Sequence, residues 1–266
     1  MNLAEPHGFN LGAVNVPHGV TNPLHLHFTA EVFICYRGDW ALTWGEEPGN
    51  EAHLAEGDLV SVPPWLYRSF RNVGVDDGFL FAVLGRDDPG GILWAPSVVA
   101  AAQAHGLYLT ADDRIIDVAA GEQVAPTDRL FEPMSAADMA ALKKYSVADL
   151  GRCVVRHCAL AWSARALLGA IDAGVELAPA LGYGITEDRD HSPPVAGAPG
   201  FSIEWLRLAP GATVPRHRLS AKQVFINKTG RLELALDEGA AATVPLAEWD
   251  TFSIPAGRWR ALRNTG

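Results

Sequence analysis

The apolar residues of this chain fall in short runs, and one of the clearest, VFICY at 32–36, is β-branched and aromatic. Pro23 lies ahead of it, so HLHFTAEVFICY (25–36) reads as strand rather than helix. Side chains on a strand alternate, which puts positions 25, 27, 29 and 31 on one face. On a helix His25 and His27 would point roughly opposite ways. The strand reading therefore gathers two imidazoles and the Glu31 carboxylate. DDGFLFAVLG (76–85) is a further strand, and DRDHSPPVAGAPG (188–200) an exposed loop from its Pro, Gly and Asp content. Two segments have helical character: PSVVAAAQAHG (96–106), ending on Gly, and SAADMAALKKY (135–145), with Ser135 and Asp138 at capping-box spacing.

Sliding the chain against itself by 192 residues, the interval from His25 to His217, aligns a series of landmarks without a gap. Gly19 meets Gly211, VFI at 32–34 meets VFI at 224–226, and Gly38 meets Gly230. Asp58 meets Asp250, Pro63 meets Pro255, Arg68 meets Arg260 and Asn72 meets Asn264. The chain thus holds two copies of one β-rich unit. The expected organisation is a first unit over 1–90, a linker with short helices over 91–150, and a second unit over 151–266. After Asn264 only two residues follow, where the first copy continues into its closing strand. An unpaired edge invites aggregation, so either another segment completes that sheet or, as the preferred expectation, a tail of roughly a dozen residues follows Gly266.

Composition narrows the class. The 26 Gly and 18 Pro imply many turns, and 48% hydrophobic with 20% charged residues describes a soluble globular protein with a substantial core. A net charge of −10 argues against nucleic acid and anionic membranes as partners. The start MNLAEPHGFN lacks the basic residues and apolar core of a signal peptide. Three cysteines, an odd and sparse set, suit reduced thiols and a cytoplasmic location; Cys153 and Cys158 are expected as small buried apolar residues.

The spacing G-x5-HxH-x3-E-x6-G, carried by Gly19, His25, His27, Glu31 and Gly38, resembles the first motif of the cupin superfamily. Gly57, Pro63 and Asn72 fit the second motif, with Trp65 standing where the pattern has Gly and Arg68 where it has a fourth metal-binding His. In the second copy Leu219, Gln223 and Arg260 replace three of the four ligands. The resemblance implies an all-β bicupin: two jelly-roll-type barrels in tandem, joined by a short helical linker. It also implies gentisate-type or quercetinase-type dioxygenase chemistry, with O2 and a small aromatic substrate as partners and a homodimer as an allowed assembly.

His25, His27 and Glu31 make a two-histidine, one-carboxylate set suited to a divalent metal, Fe(II) first and Ni, Mn or Zn as alternatives. The plainer reading is a pair of hydrogen-bonded interior histidines, but burying them beside a glutamate with no cation or other partner would be costly. A guanidinium has no acceptor and cannot ligate, which leaves three arrangements for Arg68. It binds an anionic group of the substrate, it pairs with Glu31, or it points outward. Phe33, Trp44 and Trp65 are candidate substrate-lining aromatics, against the ordinary reading of barrel core, and His53 is a candidate extra lining residue. His217 reads as structural. Two further classes compete with an oxygenase: a metal-dependent isomerase, lyase or decarboxylase, and a non-catalytic binding module.

Overall fold

The computed structural model describes residues 6–45, 49–170, 174–237 and 242–266. The chain divides into two compact units, one of Asn10–Val154 and one of Val155–Gly266 together with the described residues up to Phe9.

In the first unit the strands are β1 (Phe9–Val16), β2 (His25–Leu26), β3 (Glu31–Arg37), β4 (Trp40–Trp44), β5 (Glu51–Leu54), β6 (Leu59–Val62), β7 (Arg68–Asn72), β8 (Gly78–Gly85) and β9 (Leu93–Trp94). One sheet carries the order β1-β8-β3-β6 and the other β5-β4-β7-β2-β9. Phe33, Val60 and Leu80 from the first sheet pack with Trp40, Leu42, Trp44 and Phe70 from the second, forming the core between them. Each such side chain, fully buried, contributes about 1.5–3 kcal/mol relative to leaving it exposed.

Helix α1 (Pro96–Ala104) opens with proline in its first turn and ends before Gly106, whose φ of +80° suits the residue past a helix terminus. A short hairpin of β10 (Leu107–Leu109) and β11 (Ile115–Asp117) follows. Helix α2 (Ala136–Ala141) starts where expected: the Ser135 hydroxyl accepts from the Asp138 N–H. It stops earlier, because Leu142 is extended, and both lysines fall beyond it. Helix α3 (Val147–Gly151) has no counterpart in the sequence reading; Ser146 and Asp149 close a full capping box on it.

After β12 (Val154–Val155), the second unit contains β13 (Val175–Leu181), β14 (Ile203–Leu208), β15 (Thr213–Arg218), β16 (Gln223–Ile226), β17 (Leu232–Leu236), β18 (Ala242–Leu246), β19 (Thr251–Ile254) and β20 (Trp259–Asn264). Its ladders are β13-β14, β15-β20-β17-β18 and β16-β19. The repeat is visible at the level of register. Trp40 pairs with Asn72 and Trp44 with Arg68 in the first unit, and Leu232 with Asn264 and Leu236 with Arg260 in the second. Asn72 donates to the Val16 carbonyl and accepts from Gly74 N–H; Asn264 does the same with Leu208 and Gly266. Asp58 caps Ala55 N–H as Asp250 caps Ala247 N–H. The shared polar residues are therefore turn-building groups.

Two turns trade glycine for tryptophan. Trp65 (φ +60°) occupies the place of Gly257 (φ +75°), and Trp249 (φ +76°) the place of Gly57 (φ +87°). Trp65 N–H donates to the His27 carbonyl, as Gly257 N–H does to Leu219, so the turn keeps its left-handed residue despite the side chain.

Candidate metal centre

The stretch 25–31 is not one strand. His25–Leu26 form β2 in one sheet, residues 27–30 turn, and Glu31 opens β3 in the other sheet. Strand parity is thus replaced by a corner between sheets, and the corner still gathers the same three side chains. A ligand atom from each of His25, His27 and Glu31 lies within 4.8 Å of the others, and all three residues are buried.

Both imidazoles are held by their Nδ1 atoms, His25 on the Pro23 carbonyl at 2.7 Å and His27 on the Gly91 carbonyl at 2.9 Å. A ring tied in this way donates Nδ1–H and keeps its Nε2 lone pair for a cation, the arrangement of metal-bound histidines. Burial makes the neutral form the stable one: it pushes the His25 pKa down to about 4, helped by the Arg68 and His27 charges. Burial and Arg68 lower His27 too, against the pull of Glu31. His27 Nε2 stands 3.8 Å from Glu31 Oε2.

Arg68 takes the second of its three arrangements. It exposes no surface, and its Nε and Nη2 donate to Glu31 Oε2 at 2.9 and 2.8 Å while Nη1 donates to the Leu66 carbonyl at 3.1 Å. The substrate-facing role expected of it gives way to a grip on the carboxylate. The donor set still fits a divalent cation, because both Nδ1 atoms are anchored and a ligand atom of each residue stays within 4.8 Å of the others.

Phe33 lies in the barrel core, edge-on to Phe70 at 5.2 Å. Trp44 is also core, its indole N–H donating to the Tyr145 carbonyl. Trp65 is the half-exposed member of the three, with its ring edge-on to Phe28 at 5.0 Å and its backbone on His27. His53 projects into solvent beside Glu51, and so is no lining residue. Cys153 is half-buried against the core, and Cys158 is exposed rather than buried. Gly91 and Trp94 were missed by sequence reasoning. Gly91 supplies the acceptor for His27, and Trp94 pairs with His25 in the ladder with its ring 5.6 Å away. The repeat could not flag them, since no residue of the displayed chain lies at that offset.

In the second unit His217 repeats the anchor of His25, its Nδ1 on Pro215 at 2.8 Å. Leu219 and Gln223 offer no imidazole or carboxylate beside it. Among the described residues, His25, His27 and Glu31 are the single group of three that could hold a metal.

Residues 12–84 match the family of the cupin domain. In the solved structures the chain is similar to an oxalate decarboxylase of Lactobacillus farciminis in a formate complex, at 14% identity and TM-score 0.60 over 98% of this chain and 74% of that one. It is also similar to hazelnut (Corylus avellana) vicilin, at 13% identity and TM-score 0.57 over 97% and 71% of the two chains. Procruciferin, an 11S globulin of Brassica napus, matches at 13% identity and TM-score 0.58 over 97% and 74%. No curated protein matches the sequence. The match to the cupin domain falls on the first barrel, and across nearly its whole length the chain shares the two-barrel fold of these solved structures. At these identities the likeness is one of fold, shared by proteins named as a decarboxylase and as globulins.

Proposed function

We propose that the first barrel holds one divalent cation on His25, His27 and Glu31, Fe(II) foremost, and that the chain is a dioxygenase of a small phenolic or acidic aromatic compound. One observation carries this reading: two neutral imidazoles anchored through Nδ1, with both Nε2 atoms open beside a carboxylate. When bound, such a cation supplies Lewis acidity toward a substrate oxygen and, as iron, access to O2 chemistry. The chain's own residues prepare the site. His25 and His27 present lone pairs without first losing a proton at neutral pH, Arg68 fixes Glu31 against rotation, and Trp65 with Phe28 offers an aromatic face next to His27.

The test is O2 consumption by chain reconstituted anaerobically with iron, across a panel of phenols and aromatic acids. The reading requires uptake that His27→Ala abolishes. Turnover without O2, or with manganese or zinc, selects the lyase or decarboxylase class, to which the named activity of the Lactobacillus neighbour belongs. The Arg68–Glu31 pair favours a second reading, a metal-free binding module, since an internal cation already sits on the carboxylate. A purified chain that takes up no iron, manganese or zinc selects that reading.

A further inference from the structure

The two barrels carry the same buried arginine with different partners. Arg68 in the first is neutralised by Glu31. Arg260 occupies the equivalent register in the second and likewise exposes no surface, but Glu31 is replaced there by Gln223. Arg260 Nη1 reaches Gln223 Oε1 only at 3.5 Å, Nη2 reaches the Pro255 carbonyl at 3.3 Å, and Nε has no acceptor. These contacts lie at the long end of hydrogen bonding. No carboxylate among the described residues pairs with Arg260, and burial alone shifts its pKa, downward. An uncompensated buried cation is a costly thing to keep.

The donor left without an acceptor, Nε, belongs with Nη2 to the edge on which Arg68 grips a carboxylate. A planar two-donor fork of this kind matches a carboxylate better than a tetrahedral oxyanion. The strand that carries Gln223 is also less buried than its counterpart: β16 is half-buried throughout, where β3 is buried up to its last residue. His217, across the ladder from Arg260, stands beside the same place.

We propose that the second barrel is a binding site for a small carboxylate ligand, held by Arg260 and the Gln223 amide where the first barrel uses its own Glu31. The site is independent of the metal centre.

Acetate binding to chelator-treated full-length chain tests this by calorimetry at constant ionic strength, with inorganic phosphate as the comparison anion. Metal removal leaves Arg68 on Glu31, so of the two equivalent buried guanidiniums only that of the second barrel lacks a carboxylate among the described residues. Saturable acetate binding is expected, weakened about tenfold or more in Arg260→Gln, as loss of a charge-assisted hydrogen bond requires. Gln223→Glu provides a second arm that does not remove the arginine. It should block acetate and raise the melting temperature without ligand, because it supplies the missing carboxylate in cis. Acetate binding equally well to wild type and Gln223→Glu, or no anion binding to wild type, overturns the proposal. Phosphate binding more tightly than acetate overturns the assignment to a carboxylate.

Discussion

Arg68 carries a consequence at the scale of a single residue. It and Glu31 are both buried, with two guanidinium donors on one carboxylate oxygen. Removing one member of such a pair strands the other charge, at a cost of about 3–5 kcal/mol. Arg68→Met should therefore lower the urea-unfolding stability of the metal-free chain by about that much, and saturating zinc should recover part of the loss by giving Glu31 a new cation. A loss below about 0.5 kcal/mol would mean the pair is not formed in solution. Sequence pattern could show that residue 68 stands in a ligand's position. It could not show which neighbour the guanidinium takes, because strand parity fixes a face and leaves the partner open. Parity gave Phe33 a face, and the ordinary reading of Phe33 and Trp44 as barrel core is the one their packing matches.

Helix α3 shows what was overlooked among the elements. Ser146 and Asp149 have the same spacing as Ser135 and Asp138, but only five helical residues follow, too few for a periodic apolar stripe to stand out. Hydrogen bonds from Ser146 and then Arg152 hold the Asp149 pKa down to about 2. A carboxylate whose folded pKa is depressed stabilises the fold fully above its unfolded value near 4, and that contribution fades as pH falls from about 4 to about 2. Asp149→Asn should flatten this part of the stability–pH curve in acid unfolding while leaving the metal ligands untouched. An unchanged slope would show that the capping box is not populated. The strand over 25–31 is the other lesson among the elements. A corner between sheets produced the expected grouping by another route, so alternation pointed to the right residues through the wrong geometry.

For the whole molecule, the repeat was the most legible feature, since its landmarks have backbone duties that survive the loss of ligands. Asn72 and Asn264 tie the same turns, and Asp58 and Asp250 cap the same corners. What differs between the barrels is chemistry: His25, His27 and Glu31 in one, His217, Leu219 and Gln223 in the other. Among the described residues no helix is long and apolar enough to cross a membrane. The central claim is a metal centre in the first barrel alone, and elemental analysis of chain purified and reconstituted with iron measures it most directly. The account predicts one divalent ion per chain in wild type and in His217→Ala, and severe loss in His27→Ala. A wild-type chain without stoichiometric metal, or one that keeps its metal in His27→Ala and loses it in His217→Ala, would contradict it.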